Sequence, residues 1–228
     1  GRAEIRNLLA REARYKALLF MDADSWPPQQ DFVQRYMEHW DGQSVLCGGR
    51  VYREQPPEDP ALYLHWLYGR RREQKTAAER NRRPYHGFQT NNFLMPASVA
   101  LAVPFEERLQ QYGHEDTLFG KWLQERGVPV VHIDNPLEHT GLEPAEVFLR
   151  KHRQAVENLH RLYQEGIMLP TRLMNAYQNV YAWGMRKPVL ALYRLGRSKI
   201  ERNMRSARPS LLLFDFYRLG ILLEMEEA

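Results

Sequence analysis

The chain has 228 residues, 43% of them hydrophobic and 26% charged, with a formal net charge of +4. This suffices for one large domain, or a domain with an appendage, and the small charge excess argues against a nucleic-acid binder, for which no motif is present either. The single cysteine, Cys47, excludes an internal disulfide and fits a reducing compartment. It reads as a small buried apolar residue in a strand. No run approaches the roughly 18 apolar residues of a membrane span. The expected location is cytoplasmic, with peripheral contact on the inner face of the membrane kept open.

The opening residues Gly1-Arg2-Ala3-Glu4-Ile5-Arg6-Asn7 carry no initiator Met and run straight into a helical pattern, so the sequence is expected to start inside a larger fold. Ile5, Leu8, Leu9 and Ala13 have helical spacing. Ala17-Leu18-Leu19-Phe20-Met21 is a continuous apolar run, read as a strand buried on both faces, as in a parallel sheet. It stops at Asp22-Ala23-Asp24-Ser25, and Trp26-Pro27-Pro28 leads into a helix expected over 30–40. Residues 44–52 read as a second strand, with Gly48-Gly49 marking a close backbone approach or a bulge. Residues 61–83 begin helical and turn strongly basic.

A strand is expected over 88–95, a short helix over 97–104, and a helix over 117–126 capped by Asp116 or Thr117 and ended by Gly127. Residues 128–133 form a late strand, with Pro129 favouring a sheet edge. Pro144 opens a long helix to about Gln164, on which Phe148, His152, Ala155, Leu159 and Leu162 share one face. The last stretch reads as further helices. Alternating strands and helices over the first part of the chain predict an α/β fold with a mainly parallel sheet, where ligands sit beyond the carboxyl ends of strands. Asp22 and Asp24 fall at such an end.

Asp22 and Asp24, two residues apart, can aim two carboxylates at one Mg²⁺ or Mn²⁺, an ion that completes its shell with substrate phosphates. The plainer alternative is a capping turn. Glu115 and Asp116 either favour a helix dipole or include a carboxylate that takes a proton from a hydroxyl. His139, in a loop after the last strand, is either simply exposed or joins the ion held by Asp22 and Asp24. Arg70, Arg71, Arg72, Lys75, Arg80, Arg82 and Arg83 form a basic run interrupted by Glu73 and Glu79. It is a solvated face, or a loop that folds over a diphosphate or an anionic acceptor. Eight basic residues against one acid between Arg186 and Arg208 precede Leu211-Leu212-Leu213-Phe214. That pattern is either core packing or contact with an anionic membrane surface.

In order, four landmarks resemble glycosyltransferase family 2. They are the helix Gly1-Arg2-Ala3 to Arg6-Asn7, the strand and D-x-D of Leu19-Phe20-Met21-Asp22-Ala23-Asp24-Ser25, the element Gly113-His114-Glu115-Asp116-Thr117, and His139-Thr140-Gly141. The resemblance covers residues 1 to about 141. The continuation through Leu142-Glu143 and the following helix is similar to family members from Bacteroidetes polysaccharide loci.

The resemblance implies a GT-A-like (Rossmann-like) domain over 1–141 and a C-terminal helical extension over 142–228. It also implies a strand–helix–strand segment before Gly1 that would hold the nucleotide, without which donor binding is expected to be weak. It assigns Asp22, Asp24 and His139 to a divalent cation (Mn²⁺ or Mg²⁺) and Asp22, Asp24 and Arg6 to the donor. Asp116 would be the general base, with Glu115 orienting the acceptor. The implied activity is inverting transfer from a nucleotide-sugar donor, taken as a UDP-sugar, to a glycan or lipid-linked hydroxyl. A non-catalytic binding module and a metal-dependent phosphoesterase or nuclease are the rival readings.

Overall fold

The structure, a computed structural model, describes residues 1–108 and 112–226. The last two residues of the expected C-terminal extension therefore lie outside the described residues. In chain order the elements are α1 (Arg2–Glu12), β1 (Ala17–Met21), β2 (Ser25–Trp26), α2 (Phe32–Glu38), β3 (Val45–Cys47), β4 (Arg50–Val51), α3 (Tyr63–Tyr68), α4 (Ala77–Asn81) and β5 (Asn92–Pro96). Then follow α5 (Ala97–Ala102), α6 (Glu115–Glu125), β6 (Val130–His132), β7 (Leu137–His139), α7 (Ala145–Gln164), α8 (Arg172–Ala182), α9 (Arg186–Met204) and α10 (Leu211–Met225). One π-helical turn, Gly69–Glu73, follows α3. The chain is mixed α/β and divides into two compact units.

The first unit comprises Gly1–Glu54, Gly69–Gln110 and Glu115–Gly141. It holds a four-stranded sheet in the order β1-β5-β3-β6 and a three-stranded sheet in the order β2-β7-β4. The pairings are mixed, where the sequence predicts mainly parallel ones: β1/β5, β3/β5 and β2/β7 run antiparallel, β3/β6 and β4/β7 parallel. The apolar run at β1 reports that side chains on both faces find cover, which says nothing about strand direction. Phe20 stacks on Phe93 across the β1/β5 ladder at 4.7 Å between ring centroids, and Phe105 stacks on Phe119 at 4.0 Å. These rings anchor the main core. β6 lies at a sheet edge, where Pro129 points.

The single strand expected over 44–52 is two strands in two sheets. The chain changes sheets at Gly48-Gly49. A β-carbon on Gly48 would collide with the Asn135 carbonyl oxygen and the Asn92 amide, and Gly49 has φ +89° with Arg80 Nη2 2.6 Å from where its β-carbon would be. Asn92 Nδ2 crosses this junction, donating to the carbonyls of Gly49 (3.0 Å) and Asn135 (2.8 Å). Helix α1 buries Ala3, Arg6, Asn7 and Ala10, whereas Ile5, Leu8 and Leu9 of the apolar series are 49%, 43% and 57% exposed. Asn7 explains the turn of the helix. Its side chain exchanges two hydrogen bonds with the backbone of Phe105, at 2.9 and 2.8 Å, so the buried polar residue is satisfied rather than excluded.

The second unit comprises Gln55–Tyr68, Gln111–His114 and Leu142–Ala228. The long helix α7 buries Phe148, His152, Ala155, Leu159 and Leu162, the face its spacing predicts. Phe148 and His152 pack with Tyr68 of α3 and Phe214 of α10. Among the described residues no helix is long and apolar enough to cross a membrane.

Candidate functional site

Strand β1 ends at Met21, and the Asp22 amide donates to the Asn91 carbonyl at 3.0 Å, holding Asp22 just past the strand. The chain then turns through Ala23-Asp24 into β2, whose Ser25 pairs with His139 of β7. The stretch around His139 is thus a short strand and not the expected loop. Leu137 and His139 face inward with Glu138 between them, a pattern too short at three residues to stand out in the sequence.

Three consecutive residues converge on Asp24. His139 Nδ1 stands 3.6 Å from Asp24 Oδ1. Thr140 donates to the Asp24 carbonyl from its backbone amide at 2.9 Å and from its hydroxyl at 3.0 Å. Gly141 lies so near that a β-carbon would come within 2.8 Å of Asp24 Oδ2. The Asp24 carboxyl is lowered to about 2, chiefly by the His139 imidazole beside it and then by the charge of Arg50, against an opposing burial cost.

Asp22 is held differently. Arg6 Nη2 donates to its Oδ1 at 3.2 Å, and Arg50 Nη2 lies 3.7 Å from its Oδ2. The D-x-D pair is therefore split: Asp24 faces an imidazole, Asp22 two guanidiniums. Arg50 in turn reaches Glu73 at 3.0 Å, and Glu73 also accepts from the Tyr52 hydroxyl. Arg6 Nη1, Ser25 Oγ and both amide atoms of Asn91 are buried with no hydrogen-bond partner among the described residues. Such unmet atoms are rare unless a ligand or water serves them.

Glu115 and Asp116 open α6, which starts two residues earlier than its spacing suggests. Asp116 does not cap the helix from outside but sits in its first turn, accepting from the Thr117 amide at 2.7 Å. Its carboxyl is raised to about 6 by burial, then by the negative charge of Glu115, while Thr117 and Arg50 pull the other way. A carboxylate poised there can accept a proton near neutral pH. The charge of Arg50 thus acts on both Asp24 and Asp116.

The donor set suits a small divalent cation. Two atoms that each ligate one ion at about 2.1 Å stand about 3–4 Å apart, and the Asp24–His139 separation lies in that range. Among the described residues no three His, Cys, Asp or Glu side chains gather into a metal cage. Further positions would fall to substrate oxygens and water, the usual mode for Mg²⁺ and its kin. Asp22, also expected among the ligands, meets Arg6 and Arg50 in this structure.

The basic run resolves into separate roles. Arg80 is buried, donating to the carbonyls of Cys47 (3.1 Å), Gly48 (3.1 Å) and Ile133 (3.0 Å) and lying 2.8 Å from His132 Nδ1. It is a structural tie and neither a solvated charge nor part of a phosphate loop. Arg71, Lys75, Arg82 and Arg83 are exposed. Glu79 closes a capping box with Thr76, and Glu73 belongs to the Arg50 network. Arg50, Glu73 and Tyr52 were not legible as site residues. The only hint was an acid standing alone among arginines. Cys47 is buried in β3 as expected, and burial pushes its thiol up to about 12. No protein-family model matches the chain, and no curated protein matches it.

Proposed function

We propose that the chain is the metal-binding and acceptor-side part of an inverting, GT-A-like glycosyltransferase of family 2, acting on a nucleotide-diphosphate sugar. Residues 1–141 would form the catalytic domain and 142–228 its helical extension. The observation that carries this reading is the convergence of His139, Thr140 and Gly141 on Asp24, within the same unit that holds Asp22, Arg6, Arg50 and the raised carboxyl of Asp116.

Asp24 and His139 would hold a divalent cation, which supplies Lewis-acid stabilisation to the departing diphosphate. Arg6 and Arg50, now on Asp22, offer guanidinium groups to the same negative charge. Asp116 accepts the proton of the acceptor hydroxyl as the new bond from its oxygen to the anomeric carbon forms. The bond from that carbon to the diphosphate oxygen breaks on the opposite face, with its electron pair leaving on the diphosphate. One displacement inverts the anomeric centre.

The test is a donor screen with Mn²⁺ present, reading sugar transfer to added acceptors. Transfer should rise with pH through about 6 as Asp116 loses its proton. Asp116→Asn should reduce the rate about 10²–10⁴-fold, the usual worth of a general base. Normal transfer by Asp116→Asn would remove the base assignment.

A further inference from the structure

We infer that one face of α9 docks on an anionic lipid surface. The inference is independent of the glycosyltransferase reading. The sequence offered such contact for the basic stretch Arg186 to Arg208 beside the apolar run 211–214; Phe214 of that run is buried and Leu212 exposed, and α9 carries most of the basic stretch.

Burial defines two sides of α9. Leu190, Tyr193, Ile200 and Met204 face the unit's interior. Pro188, Leu192, Leu195, Lys199 and Arg202 recur at steps of four and three residues and are all exposed, so they form one stripe. Leu192 is 61% and Leu195 85% exposed. In the turn leading into the helix, Trp183 is 75% and Met185 45% exposed. Single exposed leucines are ordinary, but a helical stripe of them with an aromatic at its end is not.

The charges identify the occupant. Among the described residues Arg194 and Arg197 meet Glu224, Arg197 also meets Glu201, and Arg205 meets Glu146 and Glu201. Lys187, Lys199 and Arg202 meet no acid among them, and no acid stands on the stripe. Leucines that need an apolar medium are therefore followed, one turn further along the same stripe, by cations that need anions, the pattern of a helix lying in a headgroup layer.

The test is co-sedimentation of the 228-residue chain with phosphatidylcholine vesicles with and without phosphatidylserine. Binding is expected only with phosphatidylserine and should weaken with salt. Lys199→Glu with Arg202→Glu should weaken it at least about 25-fold, from about fivefold per cation. Leu192→Asp with Leu195→Asp should weaken it more than about tenfold. All four positions are exposed, so thermal melting should be unchanged, and Leu192→Ser with Leu195→Ser serves if the aspartates cost helicity. Equal sedimentation of wild type and variants would overturn the inference. So would a dimer in light scattering that the leucine variants dissolve while wild type ignores vesicles, since the face would then be a protein interface.

Discussion

In the first unit, buried Arg80 spends its guanidinium on four backbone carbonyls and an imidazole, and Arg50 reaches Asp22, Glu73 and, by its charge, Asp24 and Asp116. In the second, His152 is buried among Tyr68, Phe148 and Phe214 with neither ring nitrogen hydrogen-bonded among the described residues, and burial holds it neutral far below its ordinary range. Buried charge in the first unit is held by ion pairs and hydrogen bonds, while near the end of β1 Arg6, Ser25 and Asn91 keep atoms unmet among the described residues. In the second, His152 is accommodated by neutralisation. The difference separates polar groups that fix a chain crossing, polar groups left unmet at the end of β1, and a polar group that serves as an aromatic packing element.

The largest effect should come from Arg80. Arg80→Leu removes the Arg80 donor from the carbonyls of Gly48 and Ile133 and leaves Cys47 with the Ile133 amide alone, a loss of about 3–5 kcal/mol by urea unfolding. A loss below about 1 kcal/mol would mean that Arg80 is not the tie that holds the sheet junction.

Acid should act next. His132 is lowered to about 4 and His114 to about 3, both chiefly by burial, and His152 lies lower than its usual range for the same reason. In each case the unfolded chain binds the proton first, so stability is full above about pH 6.5 and falls as pH drops below it, by about 1.4 kcal/mol per unit for each histidine. Asp116 acts with the opposite sign. Its folded value of about 6 exceeds the ordinary 3.8, so it adds stability as pH falls from 6 to 3.8. Three imidazoles outweigh one carboxyl, and urea midpoints should drop from pH 6.5 to 4. A flat profile would contradict the burial of these rings.

The smallest effects sharpen the contrast between two unmet groups. His152→Phe and Asn91→Leu should each raise stability by about 1 kcal/mol, because an unsatisfied buried polar group is replaced by an apolar one. Only Asn91→Leu should also weaken nucleotide binding. If both leave it intact, the unmet atoms at the end of β1 serve packing as His152 does.

Much of this was legible where a local pattern suffices. The apolar run halted by Asp22-Ala23-Asp24 marked the strand end, and the face of α7 could be read from Phe148 to Leu162. What needed long-range geometry was hidden. Arg50 meets Glu73 across 23 positions only because the chain switches sheets at Gly48-Gly49. The buried face of α1 carries Arg6 and Asn7, polar residues whose partners Asp22 and Phe105 lie far along the chain, so the apolar series pointed to the wrong side. His139 was singled out, but its strand pairing with Ser25 depends on a three-residue segment with no periodicity to detect.

The central claim is that Asp24 and His139 hold a cation for a diphosphate, while Asp116 works on the other reactant. Electron paramagnetic resonance of Mn²⁺ titrated with the chain and UDP addresses it directly. Wild type and Asp116→Asn should both remove free Mn²⁺ in a UDP-dependent manner, and Asp24→Ala should not. Undiminished Mn²⁺ uptake by Asp24→Ala would contradict the account.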